Sequence, residues 1–172
     1  QHGTPLYVYS AGQIRYNVDR LREALQQTLP PDRQPLIAFA CKANSNIAIL
    51  TMLRSMGLGC DIVSGGELQR ALSAGISADK IVYSGVGKSD RELQAAIDTE
   101  ILQINVESRD ELEQIALFAE QQKKIVRVAF RLNPDVDAQT HHKISTGRRE
   151  DKFEMSRSEI KHLYTWAENH AY

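Results

Sequence analysis

The sequence predicts an α/β fold in which parallel strands alternate with helices, as in the first part of a (β/α)8 TIM barrel. Three observations carry that reading. Strand-like apolar runs begin near Leu36, Leu58, Lys80, Ile101 and Lys124, an interval of about 22 residues, close to the minimum for a strand, a crossover helix and two short loops. Ser-x-x-Glu pairs mark helix starts at Ser64/Glu67, Ser89/Glu92, Ser108/Glu111 and Ser156/Glu159. Each is a capping box that satisfies orphan N–H groups of a first helical turn. No Gly-x-Gly-x-x-Gly turn follows the first strand, as a dinucleotide-binding open sheet would require. Length alone favours an open doubly wound sheet, because 172 residues fall short of the about 250 of a closed barrel. The near-uniform spacing favours an incomplete parallel barrel instead.

Residues 1–35 stand outside the repeat. Leu6-Tyr7-Val8-Tyr9 reads as a strand, and an amphipathic helix follows with a stripe through Ile14, Val18, Leu21 and Leu25, ending before Pro30-Pro31. The repeat occupies residues 36–172. Residues 36–41 form an apolar run of strand length, and Ala43-Asn44-Ser45-Asn46 reads as a turn with helix N-cap candidates. The later helices each have one face to bury: Leu68, Ala71 and Leu72; Leu93, Ala96 and Ile97; Leu112, Ile115 and Ala119; Ile160, Leu163 and Ala167.

Composition excludes several classes of function. The chain is 42% hydrophobic and 25% charged, with a net charge of −1, which is ordinary globular material. Scattered charges of both signs leave no electrostatic footprint for nucleic acid or an anionic membrane. No apolar stretch approaches the roughly 20 residues of a membrane helix, and no leader peptide is evident, so a cytoplasmic protein is expected. Cys41 and Cys60 lie in apolar runs without Cys-x-x-Cys spacing; buried thiols are expected, and no metal site. The chain opens on Gln1 and stops at Tyr172 inside a helical pattern, as an excerpt of a longer protein would.

In both architectures function collects where parallel strands end and their loops converge. Those positions hold Lys42 with Asn44, Asp61 with Ser64-Gly65-Gly66-Glu67, Ser84-Gly85 with Lys88, Asn105 with Glu107, and Arg131 with Asn133. Lys42 has two readings. It snorkels to water where a strand ends, or it is an amine near apolar walls that loses its proton readily and can condense with an aldehyde. Gly65-Gly66 makes a tight turn, or else admits an anion to a helix N-terminus. Glu67 is explained by its capping box. Asp61, embedded in Leu58-Gly59-Cys60-Asp61-Ile62-Val63, needs a partner if buried, and Lys42 or Arg131 would serve. A long polar stretch from Asn133 to Phe153 contains His141-His142-Lys143-Ile144-Ser145-Thr146-Gly147. Adjacent histidines point in different directions, so a lid or substrate-contacting loop is expected rather than a metal site.

These blocks, in order, resemble the diaminopimelate decarboxylases, pyridoxal-phosphate enzymes of the alanine-racemase-like barrel class. The resemblance rests on Thr4-Pro5-Leu6-Tyr7-Val8-Tyr9, Ala40-Cys41-Lys42-Ala43-Asn44-Ser45-Asn46, Cys60-Asp61-Ile62-Val63-Ser64-Gly65-Gly66-Glu67 and Ser84-Gly85-Val86-Gly87-Lys88. It continues through Ile104-Asn105-Val106-Glu107-Ser108, Arg131-Leu132-Asn133-Pro134-Asp135-Val136-Asp137 and His142-Lys143-Ile144-Ser145-Thr146-Gly147. The Lys-Ala-Asn block suits several decarboxylases of the class; the Ile-Ser-Thr-Gly block narrows the choice.

The resemblance implies that Lys42 carries pyridoxal 5'-phosphate as a Schiff base, with Asp61, Glu67 and Arg131 lining the cofactor pocket. It also implies that Ile144, with His142 and Ser145 on the same loop, meets the substrate, and that no metal takes part. The expected reaction is decarboxylation of meso-2,6-diaminopimelate to L-lysine in a homodimer, with the first strand belonging to a second β domain. Lys152-Phe153-Glu154 departs from the family's usual Lys-Phe-Gly and gives up a glycine's backbone freedom. The family's phosphate loop, pyridinium-binding glutamate and substrate-clamping arginines lie beyond Tyr172, so this segment alone is expected to be inactive. The alternatives are an arginine or ornithine decarboxylase or a racemase of the same fold, a non-catalytic barrel that binds pyridoxal phosphate, and an α/β interaction domain.

Overall fold

The computed structural model describes residues 2–132 and 155–170 and divides into two units, residues 1–36 and 37–172. In the first, helix α1 spans Ala11–Thr28; Ser10 caps it by accepting the Gln13 N–H at 3.2 Å. The helix ends at Leu29, next to Pro30, which lacks an N–H to continue it. Leu6-Tyr7-Val8-Tyr9, expected as a strand, forms no ladder among the described residues, and all four side chains are exposed. Extended backbone becomes a strand only when a neighbour takes its N–H and C=O groups.

The second unit alternates strand and helix: β1 (Ala38–Ala40), α2 (Ile47–Ser55), β2 (Gly59–Ile62), α3 (Gly65–Ser73), β3 (Ile81–Tyr83) and α4 (Asp90–Thr99). It continues through β4 (Gln103–Val106), α5 (Arg109–Gln122), β5 (Val128–Phe130) and α6 (Arg157–Glu168). All four strand pairings are parallel and the sheet order is β1-β2-β3-β4-β5, the order of the sequence itself. A doubly wound sheet would reverse direction at a switch point; this one does not, and it forms an α/β barrel wall. One further parallel bridge, Leu132 with Met155, extends the wall past β5, with the Met155 N–H donating to the Arg131 carbonyl at 3.1 Å.

The alternation of side chains shows why the wall has two different faces. Cys60, Ile62, Ile81, Tyr83, Ile104 and Val106 join the apolar faces of the helices in one core. Residues between them, Asp61, Val82, Gln103 and Asn105, are only half-buried on the opposite face. Leu50, Leu53, Leu68 and Leu93 are almost fully buried on the helices, each contributing about 1.5–3 kcal/mol of transfer free energy. Ser64, Ser89, Ser108 and Ser156 are the N-caps of α3, α4, α5 and α6, at the four positions the capping pattern predicts. No helix among the described residues is long and apolar enough to cross a membrane.

Candidate active site

Strand β1 ends at Ala40, and Lys42 is the middle residue of the single 3-10 turn Cys41–Ala43 that follows. Asn44 then accepts the Asn46 N–H at 3.0 Å, and Asn46 caps α2 by accepting the Ala48 N–H at 2.9 Å. The loop is therefore held by its own asparagines, yet its lysine is exposed and makes no hydrogen bond or ion pair among the described residues. Immediately before it, Cys41 is buried and free. Its thiol is pushed up by a hydrogen bond with Cys60 and by burial, and further by the charges of Glu67 and Asp61. Negative charge thus gathers beside the residue preceding Lys42.

Asp61 lies on β2 opposite Ala40, on the less buried face. Ser84 Oγ–H donates to its Oδ1, so a neutral hydroxyl holds this carboxylate where Lys42 or Arg131 was expected. Arg131, just past β5, is ion-paired with Glu107 at 3.0 Å. The Glu107 side chain is only 7% exposed, and its second oxygen has no partner among the described residues.

Glu67 is the third residue of α3. Its backbone N–H donates to Ser64 Oγ at 3.2 Å, and its carboxylate accepts the Val63 N–H at 2.8 Å. Ser64 caps α3 as the pattern predicts, but the Glu67 carboxylate bonds the residue before the cap rather than the Ser64 N–H, so only the serine half of the expected capping box is made. The Glu67 charge is felt at Cys41. The anion that one of the two readings admits at the α3 N-terminus is intramolecular: Gly65 N–H donates to Glu92 Oε1 at 2.7 Å. That bond, with the Ser89 N–H and hydroxyl, holds the Glu92 carboxyl down at about 2. A Cβ on Gly65 would come within 3.0 Å of Glu92 Cγ, so a larger residue there would press on the side chain that joins the two helix starts.

Lys88 is the residue whose role the sequence hid most. Its ammonium donates to Gly85 O and Asn105 O, both at 2.8 Å, and to Glu111 Oε1 at 2.7 Å, with a side chain only 1% exposed. Burial pushes the Glu111 carboxyl up, against the pull of Lys88. Gln103, absent from the strand-end residues picked out by sequence, donates through Nε2 to Asn105 Oδ1 at 2.7 Å. Its signal was available only in the alternation that places 103 and 105 on one face. His142, Ile144 and Ser145 lie outside the described residues, as do Asn133 and Glu154. Among the described residues no group of three His, Cys, Asp or Glu could hold a metal ion.

The wall and its lysine-bearing rim define the class. Residues 12–171 match the family described as pyridoxal-dependent decarboxylase, pyridoxal binding domain, and the chain belongs to this family. Within it, the chain is a homologue of the diaminopimelate decarboxylases. It is 46% identical over 165 residues to the enzyme of Aquifex aeolicus, covering 96% of this chain and 38% of that protein. It is also 46% identical over 167 residues to that of Haemophilus influenzae, covering 97% and 39%. A crystal structure of diaminopimelate decarboxylase from Helicobacter pylori complexed with L-lysine superposes with a TM-score of 0.92 at 42% identity, covering 99% of this chain and 42% of that one. The arginine decarboxylase of Paramecium bursaria Chlorella virus, at 21% identity and a TM-score of 0.71, shares the fold. The chain thus spans about 40% of the length of the relatives it matches.

Proposed function

We propose that this chain is part of a pyridoxal-phosphate-dependent decarboxylase that converts meso-2,6-diaminopimelate to L-lysine, with Lys42 as the residue that takes the cofactor aldehyde. The single observation that supports it best is an unpartnered primary amine on the strand-end rim of a chain 46% identical to the diaminopimelate decarboxylase of Aquifex aeolicus and 42% identical to that of Helicobacter pylori. The relative from Helicobacter pylori is complexed with L-lysine, the amine expected when diaminopimelate loses one carboxylate.

The donor set suits the cofactor. An aldehyde needs a free amine, and Lys42 is exposed and unengaged. A cationic ring and an anionic phosphate need groups of both signs, and Asp61, Glu67 and Arg131 supply them. When bound, pyridoxal phosphate supplies the electron sink into which the bond to CO2 breaks. The chain's residues do the remaining work. Asp61 steadies positive charge beside Lys42, Glu67 reinforces the local negative potential, and Arg131 offsets negative charge across the face. Ile144, with His142 and Ser145, is proposed to contact the substrate from its loop. A homodimer in the cytoplasm is the proposed setting.

Borohydride reduction of the complete polypeptide in the presence of pyridoxal phosphate, followed by peptide mapping, tests this reading. The expected result is one adduct, on Lys42; a folded, cofactor-saturated sample without it removes the proposal. Release of CO2 from meso-diaminopimelate, and not from arginine or ornithine, is the expected substrate profile.

A further inference from the structure

Four side chains from three strand ends form one hydrogen-bonded row on the half-buried face. Gln103 Nε2–H donates to Asn105 Oδ1 at 2.7 Å, Asn105 Nδ2–H donates to Ser84 Oγ at 2.9 Å, and Ser84 Oγ–H donates to Asp61 Oδ1. Every donor points toward the carboxylate. A serine hydroxyl has one hydrogen, and since the Ser84 oxygen already accepts from Asn105, that hydrogen is directed to Asp61. Bonds aligned in this way polarise one another, so the last one, to an ionised oxygen, is the strongest.

The register of the three strands places the row. Asp61 sits opposite Val82, and Val82 opposite Gln103, so Ser84 and Asn105, each two residues further on, share that face. Ser84 N–H donates to Ile62 O at 2.8 Å, and Asn105 O receives the buried Lys88 ammonium. Neither Ser84 nor Asn105 needs a polar side chain to complete its strand; an alanine would pair its backbone equally well. Their side chains are therefore free to serve Asp61.

We propose that Ser84 and Asn105 are positioning residues that lock the rotamer of Asp61, engaging Oδ1 so that Oδ2 is the atom presented to the cofactor at Lys42. The inference rests on the reading that Asp61 lines the cofactor pocket.

The test uses the complete polypeptide loaded with pyridoxal phosphate, carrying S84A, S84T, D61N and the S84A/D61N pair. The readouts are the cofactor dissociation constant and the pH midpoint of the bound cofactor's visible band, with thermal unfolding measured alongside. S84A should weaken cofactor retention about tenfold, as loss of an outer hydrogen bond to a functional group does, D61N at least as much, and both should displace the midpoint in one direction. S84T, which keeps the hydroxyl, should restore both, and the pair should be no worse than D61N alone, because the two changes act on one interaction. If D61N changes both readouts while S84A changes only the melting temperature, the row is a stitch between strands and the inference falls while the pocket reading stands. If D61N changes neither, the pocket reading itself falls. Should S84A fail to fold, S84C, close in size and a weak donor, is judged by the same criteria.

Discussion

Lys42 and Lys88 occupy equivalent places, each in the loop that leaves a parallel strand for the next helix, and the structure treats them in opposite ways. Lys88 is buried, with two backbone carbonyls and the Glu111 carboxylate around its ammonium. Lys42 is exposed, two residues past β1, with no partner among the described residues. A buried ammonium is tolerated only when every proton is matched, and matching it fixes the loops that supply the acceptors. Lys88 therefore ties the β3–α4 loop to the ends of β4 and α5. The β1–α2 loop is instead fixed by Asn44 and Asn46, which leaves its amine available to a ligand. Strand-end position alone does not separate a structural lysine from one left available to a ligand; the partners do.

The largest effect that could break this comparison is K88M. It strands Glu111 and the carbonyls of Gly85 and Asn105 without their donor, and should cost about 3–5 kcal/mol, as removal of one member of a buried ion pair does. K42M should change stability by no more than about 0.5 kcal/mol, as for an exposed side chain without partners. Chemical denaturation of both variants decides the matter, and equal losses would show that Lys42 is also structural. Replacing both partners, K88M with E111L, should recover much of the loss.

Gly85 sharpens the same contrast from the backbone. Its φ is 154°, and a Cβ there would lie 2.9 Å from the Val63 carbonyl oxygen, so the Lys88 loop closes against the end of β2 only because this residue is glycine. G85A should cost about 1–3 kcal/mol in the same denaturation experiment. A neutral outcome would mean that the loop can move without releasing Lys88.

The fold was legible because its signals are local. Strand spacing, capping serines and helical apolar stripes each act within a few residues, and the observed strands begin close to the expected points, at Ala38, Gly59, Ile81, Gln103 and Val128. The parts of the site that depend on contacts across strands were not. Asp61 was recognised as a carboxylate in need of a partner, but a hydroxyl from the next strand was not deducible, because register decides which side chains meet. Lys88 read as one more rim cation for the same reason: Glu111 is 23 residues away in sequence. The Leu6–Tyr9 segment carries strand propensity in its β-branched and aromatic residues, yet propensity alone supplies no ladder.

The smallest expected effect concerns Glu92, whose carboxylate laces α4 to α3 through the Gly65 N–H. It titrates at about 2 in the folded protein against an ordinary 4.5. A carboxyl depressed on folding adds stability that is fully present above its unfolded pKa and disappears as pH falls through its folded one. The advantage of the parent over E92Q should therefore be greatest above pH 4.5 and vanish as pH falls toward about 2. Glu111 is shifted the other way by burial, so the parent's own pH profile mixes opposing slopes. Only the difference between parent and E92Q, taken at each pH by denaturant midpoint, isolates the lacing contact. A difference that stays constant across the acid range would mean that Gly65 is served as well by a neutral oxygen, and that the charge of Glu92 plays no part in holding the two helix starts together.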